Sequence, residues 1–241
     1  MNQLNPFDLL NIIGPKKSIV YCGNAPSLKS ESLGQWIDSH DVVIRVNKVP
    51  EPSFRSDTGG KTDILVCNPY TCETSPKLPY LEGMLVICLF SLTRRGDRTR
   101  FNEWLNGNRV LYSYIPDIVA IDDNRHFESL TTGTYAINLL NRILKPKAVS
   151  ITGFTMFLGD TNHHYWTNLT PKGVKSHSFI EEAKIFVSLI NRLPESTKVT
   201  LTSDIYWVSR KVKMKVKRSN ITKKAMINTR WDNENRRFWN F

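Results

Sequence analysis

No apolar run in the chain approaches the roughly 20 residues that a membrane-spanning helix needs. The first residues, MNQLNPFDLLNIIGPKK, also lack the basic start and long apolar core of a secretory leader. Cysteine is sparse, four in 241 residues. Cys22, Cys67 and Cys88 fall in or at the end of apolar runs and Cys72 in a loop, and buried thiols explain the first three. No CxxC pair occurs, which leaves a zinc ribbon or a thioredoxin-like centre without support. The GxGxxG of dinucleotide folds and the HExxH of a helical zinc site are missing as well. These absences lead to the expectation of a reduced, cytoplasmic protein.

Acidic residues are scarce at the carboxyl end. From Ser209 to Phe241 eleven Lys or Arg face only Asp232 and Glu234, so most of the net charge of +11 belongs to that stretch. With 40% hydrophobic and 23% charged residues, the rest has the composition of one globular domain with a sizeable core. The expected division is a lead-in over 1–17, a main domain over 18–208 and a basic, aromatic tail over 209–241.

Ser18 to Lys48 reads as strand, turn, helix and strand. The apolar run Ser18–Cys22 stops at Gly23-Asn24, and the β-branched run Asp41–Arg45 stops at Val46-Asn47. Asp63–Cys67 repeats the pattern and ends at Asn68-Pro69. Further strands are expected at Met84–Phe90, Arg109–Tyr112 and Ala148–Thr152, with a helix over Arg98–Asn106 between them. Strands alternating with helices imply an α/β, Rossmann-like, mostly parallel sheet covered on both faces. Ligands of such sheets sit at the carboxyl ends of the strands. Asn24, Asn47 and Asn68 would stand there, neutral amides able both to donate to and to accept from a nucleotide.

Leu130-Thr131-Thr132-Gly133 opens a helix to Leu144 with Ala136, Leu139, Leu140 and Ile143 on one face. Its unpaired first-turn N–H groups could hold an anion, although an ordinary capped helix explains the same residues. After the strand ending at Gly153, the loop Asp160–Trp166 carries His163, His164, Tyr165 and Trp166, rings that need polar partners when buried. Metal binding ranks well behind phosphate recognition there, because no carboxylate or thiolate cluster accompanies the histidines. Ser178 and Glu181 have capping-box spacing for a helix to Leu193 with Ala183, Phe186, Val187 and Ile190 inward. His177 would then precede a helix start, whose dipole disfavours the imidazolium and leaves a neutral base.

Together these segments resemble the animal-type sialyltransferases of glycosyltransferase family 29. Gly23-Asn24, Ile37–Asp41, Arg45–Lys48, Asp57–Lys61 and Asn68-Pro69 resemble the large sialylmotif. Thr131–Gly133 through Gly153-Phe154 resemble the small one, His163–Trp166 the third, and His177 with Glu182 the very small one. The turn Gly23-Asn24-Ala25-Pro26-Ser27-Leu28 is also similar to one in the bacterial sialyltransferases of glycosyltransferase family 42. The resemblance implies an inverting, metal-independent transfer of sialic acid from CMP-sialic acid to a sugar hydroxyl, with no cofactor beyond the CMP-sugar donor. Asn24, Asn47, Asn68, Thr131, Thr132, Gly133 and Gly153 would hold the donor, His164 would donate to the leaving phosphate, and His177 would be the base. His163, Tyr165, Trp166 and Glu182 would support them. No Asp-x-Asp metal signature is present.

Two departures stand out. Thr131–Gly153 contains no cysteine, so the family's disulfide between the large and small motifs cannot form. No amino-terminal anchor is evident either, which argues against a Golgi lumen. A CMP-Kdo-dependent transferase and an inactive CMP-sugar-binding homologue stay in view. The partners expected are the donor and a glycan acceptor, which the lipid-linked class would include. A nucleic-acid partner is not expected, since it would leave the asparagines and histidines without purpose. In the tail, Lys211, Lys213, Lys215 and Lys217 alternate with apolar residues, which suits either a charged edge strand or peripheral docking on an anionic membrane surface.

Overall fold

The computed structural model describes residues 8–68, 84–89, 98–108, 111–115, 130–158, 164–166, 178–217 and 226–227. A short helix α1 (Leu9–Ile13) leads into β1 (Ser18–Cys22), α2 (Gly34–Asp38), β2 (Val42–Val46), α3 (Arg55–Thr58) and β3 (Ile64–Cys67). Then come β4 (Leu85–Leu89), α4 (Arg98–Asn108), β5 (Leu111–Ile115), α5 (Thr132–Leu144) and β6 (Ala148–Thr152). The chain continues through α6 (Phe179–Asn191), β7 (Lys198–Thr202), α7 (Ser203–Lys211) and the two-residue β8 (Met226–Ile227).

The strands form one sheet in the order β5-β4-β3-β2-β1-β6-β7-β8, and every neighbouring pair is parallel. The expected Rossmann-like α/β architecture is therefore the observed one. Strands of such a sheet are buried on both faces, which is why they read as continuous apolar runs rather than alternating ones. Alternate residues serve the two sides. Ile19, Tyr21 and Ile44 pack with α5, α6 and α7, whereas Val20, Cys22 and Val43 pack with Leu28, Leu33, Ile37 and Tyr165.

The inward faces of α5 and α6 follow the 3.6-residue period. Ala136, Leu140, Ala183, Phe186, Val187 and Ile190 are all fully buried, and Ile143 is partly so. The capping box at the start of α6 does not form. Ser178 occupies the N-cap position without a side-chain cap, and Glu181 points outward to Lys184 at 2.7 Å. An exposed lysine one turn away suits an exposed carboxylate better than a backbone N–H already close to solvent.

The carboxyl-terminal third departs most from the sequence expectation. β7, α7 and β8 were not anticipated, and the expected 208/209 boundary falls inside α7. Ser209 and Val212 are buried there, and Met214 and Val216 pack on the core. Lys211 ends α7, and residues 212–217 are not a strand. They are held instead by Asn191, whose Nδ2 donates to the Lys215 carbonyl at 3.1 Å and whose Oδ1 accepts from the Lys217 N–H at 2.7 Å. The alternating lysines are exposed, and the intervening Val212, Met214 and Val216 pack inward with the core. Among the described residues, no helix is long and apolar enough to cross a membrane.

Candidate nucleotide and transfer site

The sheet is built outward in both directions from β1 and β6, so the crevice at their carboxyl ends is the topological switch point where α/β sheets bind ligands. Two turns meet there and are laced together. The Gly23 N–H donates to the Thr152 carbonyl and the Ala25 N–H to the Gly153 carbonyl, both at 2.9 Å. The approach is so close that a Cβ on Gly23 would lie 2.1 Å from the Gly153 oxygen. Gly153 itself has φ +75°, the left-handed region that glycine enters without strain.

A depression of about 480 Å³, including its solvent-open part, lies over this seam. Its lining includes Asn24, Asn47, Thr131, Thr132, Gly133, Gly153 and His164, seven of the residues singled out from sequence, from segments up to 140 positions apart. Phe154, which ends the stretch resembling the small sialylmotif, forms one wall with Thr155, Met156 and Phe157, and these last three were not foreseen. Met156 and Phe157 both have positive φ, 52° and 55°, a conformation that no residue-type signal announces for such side chains.

The asparagines hold the site together as well as line it. Asn24 donates from Nδ2 to the Val46 carbonyl at 2.7 Å, leaving Oδ1 and the second Nδ2 hydrogen to offer a ligand. Asn47 has φ 58°, a left-handed conformation that asparagine tolerates better than most residues. Its Oδ1 accepts from the Asn68 N–H at 3.2 Å, and Asn68 Nδ2 donates to Thr132 Oγ1 at 3.2 Å. Asn68 does not line the depression. It connects the ends of β2 and β3 to the start of α5.

Thr131 is the N-cap of α5, and a buried carboxylate from α6 occupies its donors. Glu182 Oε1 accepts from the Thr131 N–H at 2.8 Å, Thr131 Oγ1 at 2.5 Å and Thr134 Oγ1 at 2.6 Å. A negative charge at a helix start is stabilised by the dipole. The first-turn N–H groups left for a ligand anion are accordingly those of Thr132 and Gly133 rather than Thr131. Gly133 is needed for packing too, since a Cβ there would lie 2.4 Å from Phe154 Cε1.

His164, Tyr165 and Trp166 do different jobs. Trp166 stacks on the His164 ring at 4.5 Å between centroids and 25° between planes, and Phe157 meets the same ring edge-on at 6.2 Å. Lys48 Nζ sits 4.4 Å from the Trp166 ring centre, a cation–π contact. Tyr165 is buried under this group, its N–H donating to the Asn24 carbonyl at 3.1 Å and its ring packed edge-on to Phe54. Burial pushes the Tyr165 phenol well above its usual pKa, so it stays protonated. His163 and His177 lie outside the described residues. Phe179, two positions after His177, packs against the pocket residue Phe157 at 4.9 Å.

Several motif residues support rather than line the site. Arg45 is 2% exposed and donates to the Thr58 and Lys61 carbonyls at 2.7 and 2.9 Å. Asp38 accepts from the Gly60 and Lys61 N–H groups. His40 makes contact with Ser150 Oγ through Nε2 at 2.8 Å and with the Trp36 and Ile37 carbonyls through Nδ1. Asp204, on the first turn of α7, was missed altogether. Its Oδ2 accepts from Ser27 Oγ at 2.7 Å and the Gly153 N–H at 2.9 Å, and its Oδ1 from Thr202 Oγ1 at 2.5 Å. Burial drives its pKa up, and the bonds from Thr202, Ser27 and Gly153 pull it back down. A serine 177 positions away leaves no local trace in the sequence around Asp204. Among the described residues no group of three or more His, Cys, Asp or Glu is arranged to hold a metal ion.

Residues 15–87 match the model of glycosyltransferase family 29 (sialyltransferase). That span holds Asn24, Asn47 and Asn68, whereas Thr131–Gly133, His164 and His177 lie beyond it. The chain is 36% identical over 78 residues to beta-galactoside alpha-2,6-sialyltransferase 1 of Mus musculus, covering 31% of this chain and 19% of that protein. It is 32% identical over 137 residues to the CMP-N-acetylneuraminate-beta-1,4-galactoside alpha-2,3-sialyltransferase of Rattus norvegicus, covering 57% of this chain and 33% of that protein. The matched region thus spans about a fifth to a third of these curated relatives. A mammalian sialyltransferase solved in complex with Gal-beta-1-3GalNAc-ortho-nitrophenol superposes with a TM-score of 0.53 at 20% identity, over 77% of this chain and 69% of that one. The likeness is one of fold.

Proposed function

We propose that the protein is a glycosyltransferase that moves sialic acid from CMP-sialic acid to a hydroxyl of a glycan acceptor, with inversion and without a metal or other cofactor. The observation that carries this reading is the depression at the β1/β6 switch point. It unites Asn24, Asn47, the start of α5, Gly153 and His164, which the chain supplies from separate segments. The match of residues 15–87 to the sialyltransferase model and the names of the relatives support the same assignment.

In this reading the cytidine lies against Asn24 and Asn47, whose neutral amides meet base and ribose without repelling phosphate. The phosphate lies toward the Thr132 and Gly133 N–H groups at the positive end of α5. His164, held flat by Trp166, donates to the phosphate oxygen as the bond to the anomeric carbon breaks and charge gathers there. His177 takes the proton of the acceptor hydroxyl as its oxygen attacks from the opposite face, a contribution typically worth about 10²–10⁴-fold. Asn68 and Glu182 hold the site's walls.

The test is CMP release from CMP-sialic acid and, separately, from CMP-Kdo, with and without a galactose-terminated acceptor and in the presence of EDTA. Acceptor-dependent release from CMP-sialic acid, insensitive to EDTA and lost in His177→Ala with CMP binding retained, is expected. Preference for CMP-Kdo, or full turnover by His177→Ala, would overturn the assignment of donor or base.

A further inference from the structure

We propose that Asp204 is a positioning residue for donor binding, setting the separation of the two turns that form the nucleotide seam. The inference rests on the reading that a CMP-sugar occupies the depression. An acidic residue in the first turn of a helix ordinarily needs no explanation beyond the dipole, and it is ordinarily exposed. Asp204 is 2% exposed and spends its carboxylate on other segments. Oδ2 receives two donors at once, Ser27 Oγ from the turn after β1 and the Gly153 N–H from the turn after β6. Two donors can converge on one point only if an acceptor oxygen stands between them. Thr202 Oγ1 holds the other oxygen, so the carboxylate is fixed in orientation.

The consequence for the pocket follows from sequence proximity. Ser27 is three residues from Asn24 and two from Ala25, both of which line the depression, as do Gly153 and the Phe154 that follows it. The Ala25 N–H to Gly153 carbonyl bond lies beside the Asp204 contacts. The same glycine is therefore gripped by its N–H from below and by its carbonyl from across the seam. The Gly153 N–H is thus committed within the protein and its carbonyl accepts a bond across the seam, so this glycine shapes the donor site through its backbone.

Replacing the carboxylate with an isosteric apolar side chain would leave both donors without their shared acceptor, and the turns would separate or seek water. An asparagine with its oxygen at the Oδ2 position would keep both. The experiment is CMP binding by calorimetry on Asp204→Leu, Asp204→Asn and Ser27→Ala, with hydrogen exchange at the Gly153 and Ala25 amides followed in parallel. Asp204→Leu is expected to weaken CMP binding at least tenfold and to lose protection at both amides. Asp204→Asn should stay within about threefold of the parent protein. Donor KM should rise in the leucine variant while acceptor KM stays put, a split that general destabilisation would not produce. Ser27→Ala should weaken CMP binding several-fold in a protein of near-parental stability, and it decides the matter should the leucine variant fail to fold. Parental CMP affinity in Ser27→Ala, or in a folded Asp204→Leu, would overturn the proposal. Absence of CMP binding by the parent protein would instead refute the donor assignment, and amide protection unchanged in Asp204→Leu would then still refute the lacing role.

Discussion

Glu182 offers the most direct test of how the walls of the site are held. It stands in the first turn of α6, yet its Oε1 closes the start of α5 by accepting from the Thr131 N–H, Thr131 Oγ1 and Thr134 Oγ1. Glu182→Gln keeps an oxygen in the same place, removes the charge and puts an amide NH2 where Oε2 stood, so the loss should be mainly that of charge assistance, about 1 kcal/mol. Glu182→Ala removes the acceptor. The two threonine hydroxyls, 3.4 Å apart, can then turn toward each other. The Thr131 N–H cannot, and an unmatched donor of that kind costs about 1–3 kcal/mol. The one buried methylene lost, Cγ, adds about 0.8 kcal/mol. The alanine variant should therefore lose about 2–4 kcal/mol, a large share of the roughly 5–15 kcal/mol that stabilises a typical domain. Urea unfolding of the three proteins, compared at constant m, measures this directly. An alanine variant within about 1 kcal/mol of the parent, or a glutamine variant as unstable as alanine, would refute the reasoning behind these estimates.

His40 should make stability depend on pH in the mildly acidic range. Burial lowers its pKa below the ordinary 6.5, so its contribution is full above that value and is lost as pH falls through the lower folded value. The melting temperature is expected to drop between pH 7.5 and 5.5, and to drop less in His40→Gln. The lowered pKa of Asp41, caused by bonds from the Ser18 N–H and hydroxyl, acts in the same direction only below 3.8 and is separable by its range. Gly133→Ala would push a methyl group toward Phe154, whose ring is backed by Phe186 at 5.6 Å. CMP affinity should fall at least tenfold, and Phe154→Leu in the same chain should restore part of it. An alanine variant with parental affinity would show that the Phe154 wall yields.

The sequence by itself determined the parallel sheet and where its ligand end lies. Buried parallel strands must be apolar throughout, so β1 and β6 were legible to the residue, β2 and β3 to within one, and the asparagines after β1, β2 and β3 marked the carboxyl edge. The inward faces of α5 and α6 were equally legible, because a helix buries residues with a period that its own sequence must carry. What only the tertiary structure decided is which side chains close on one another across that edge. Glu181 and Glu182 are neighbours of the same type in the same turn, yet one is exposed beside Lys184 and the other is buried beneath Thr131. Ser27 and Asp204 look like ordinary turn and helix-start residues until the sheet brings them to 2.7 Å. Hydrogen bonds between distant segments impose no period and no fixed spacing on the chain. Their partners are set by the packing of layers that hydrophobic patterning specifies only as a whole, and for that reason the asparagines could be read from the sequence and the Asp204 carboxylate that holds the seam could not.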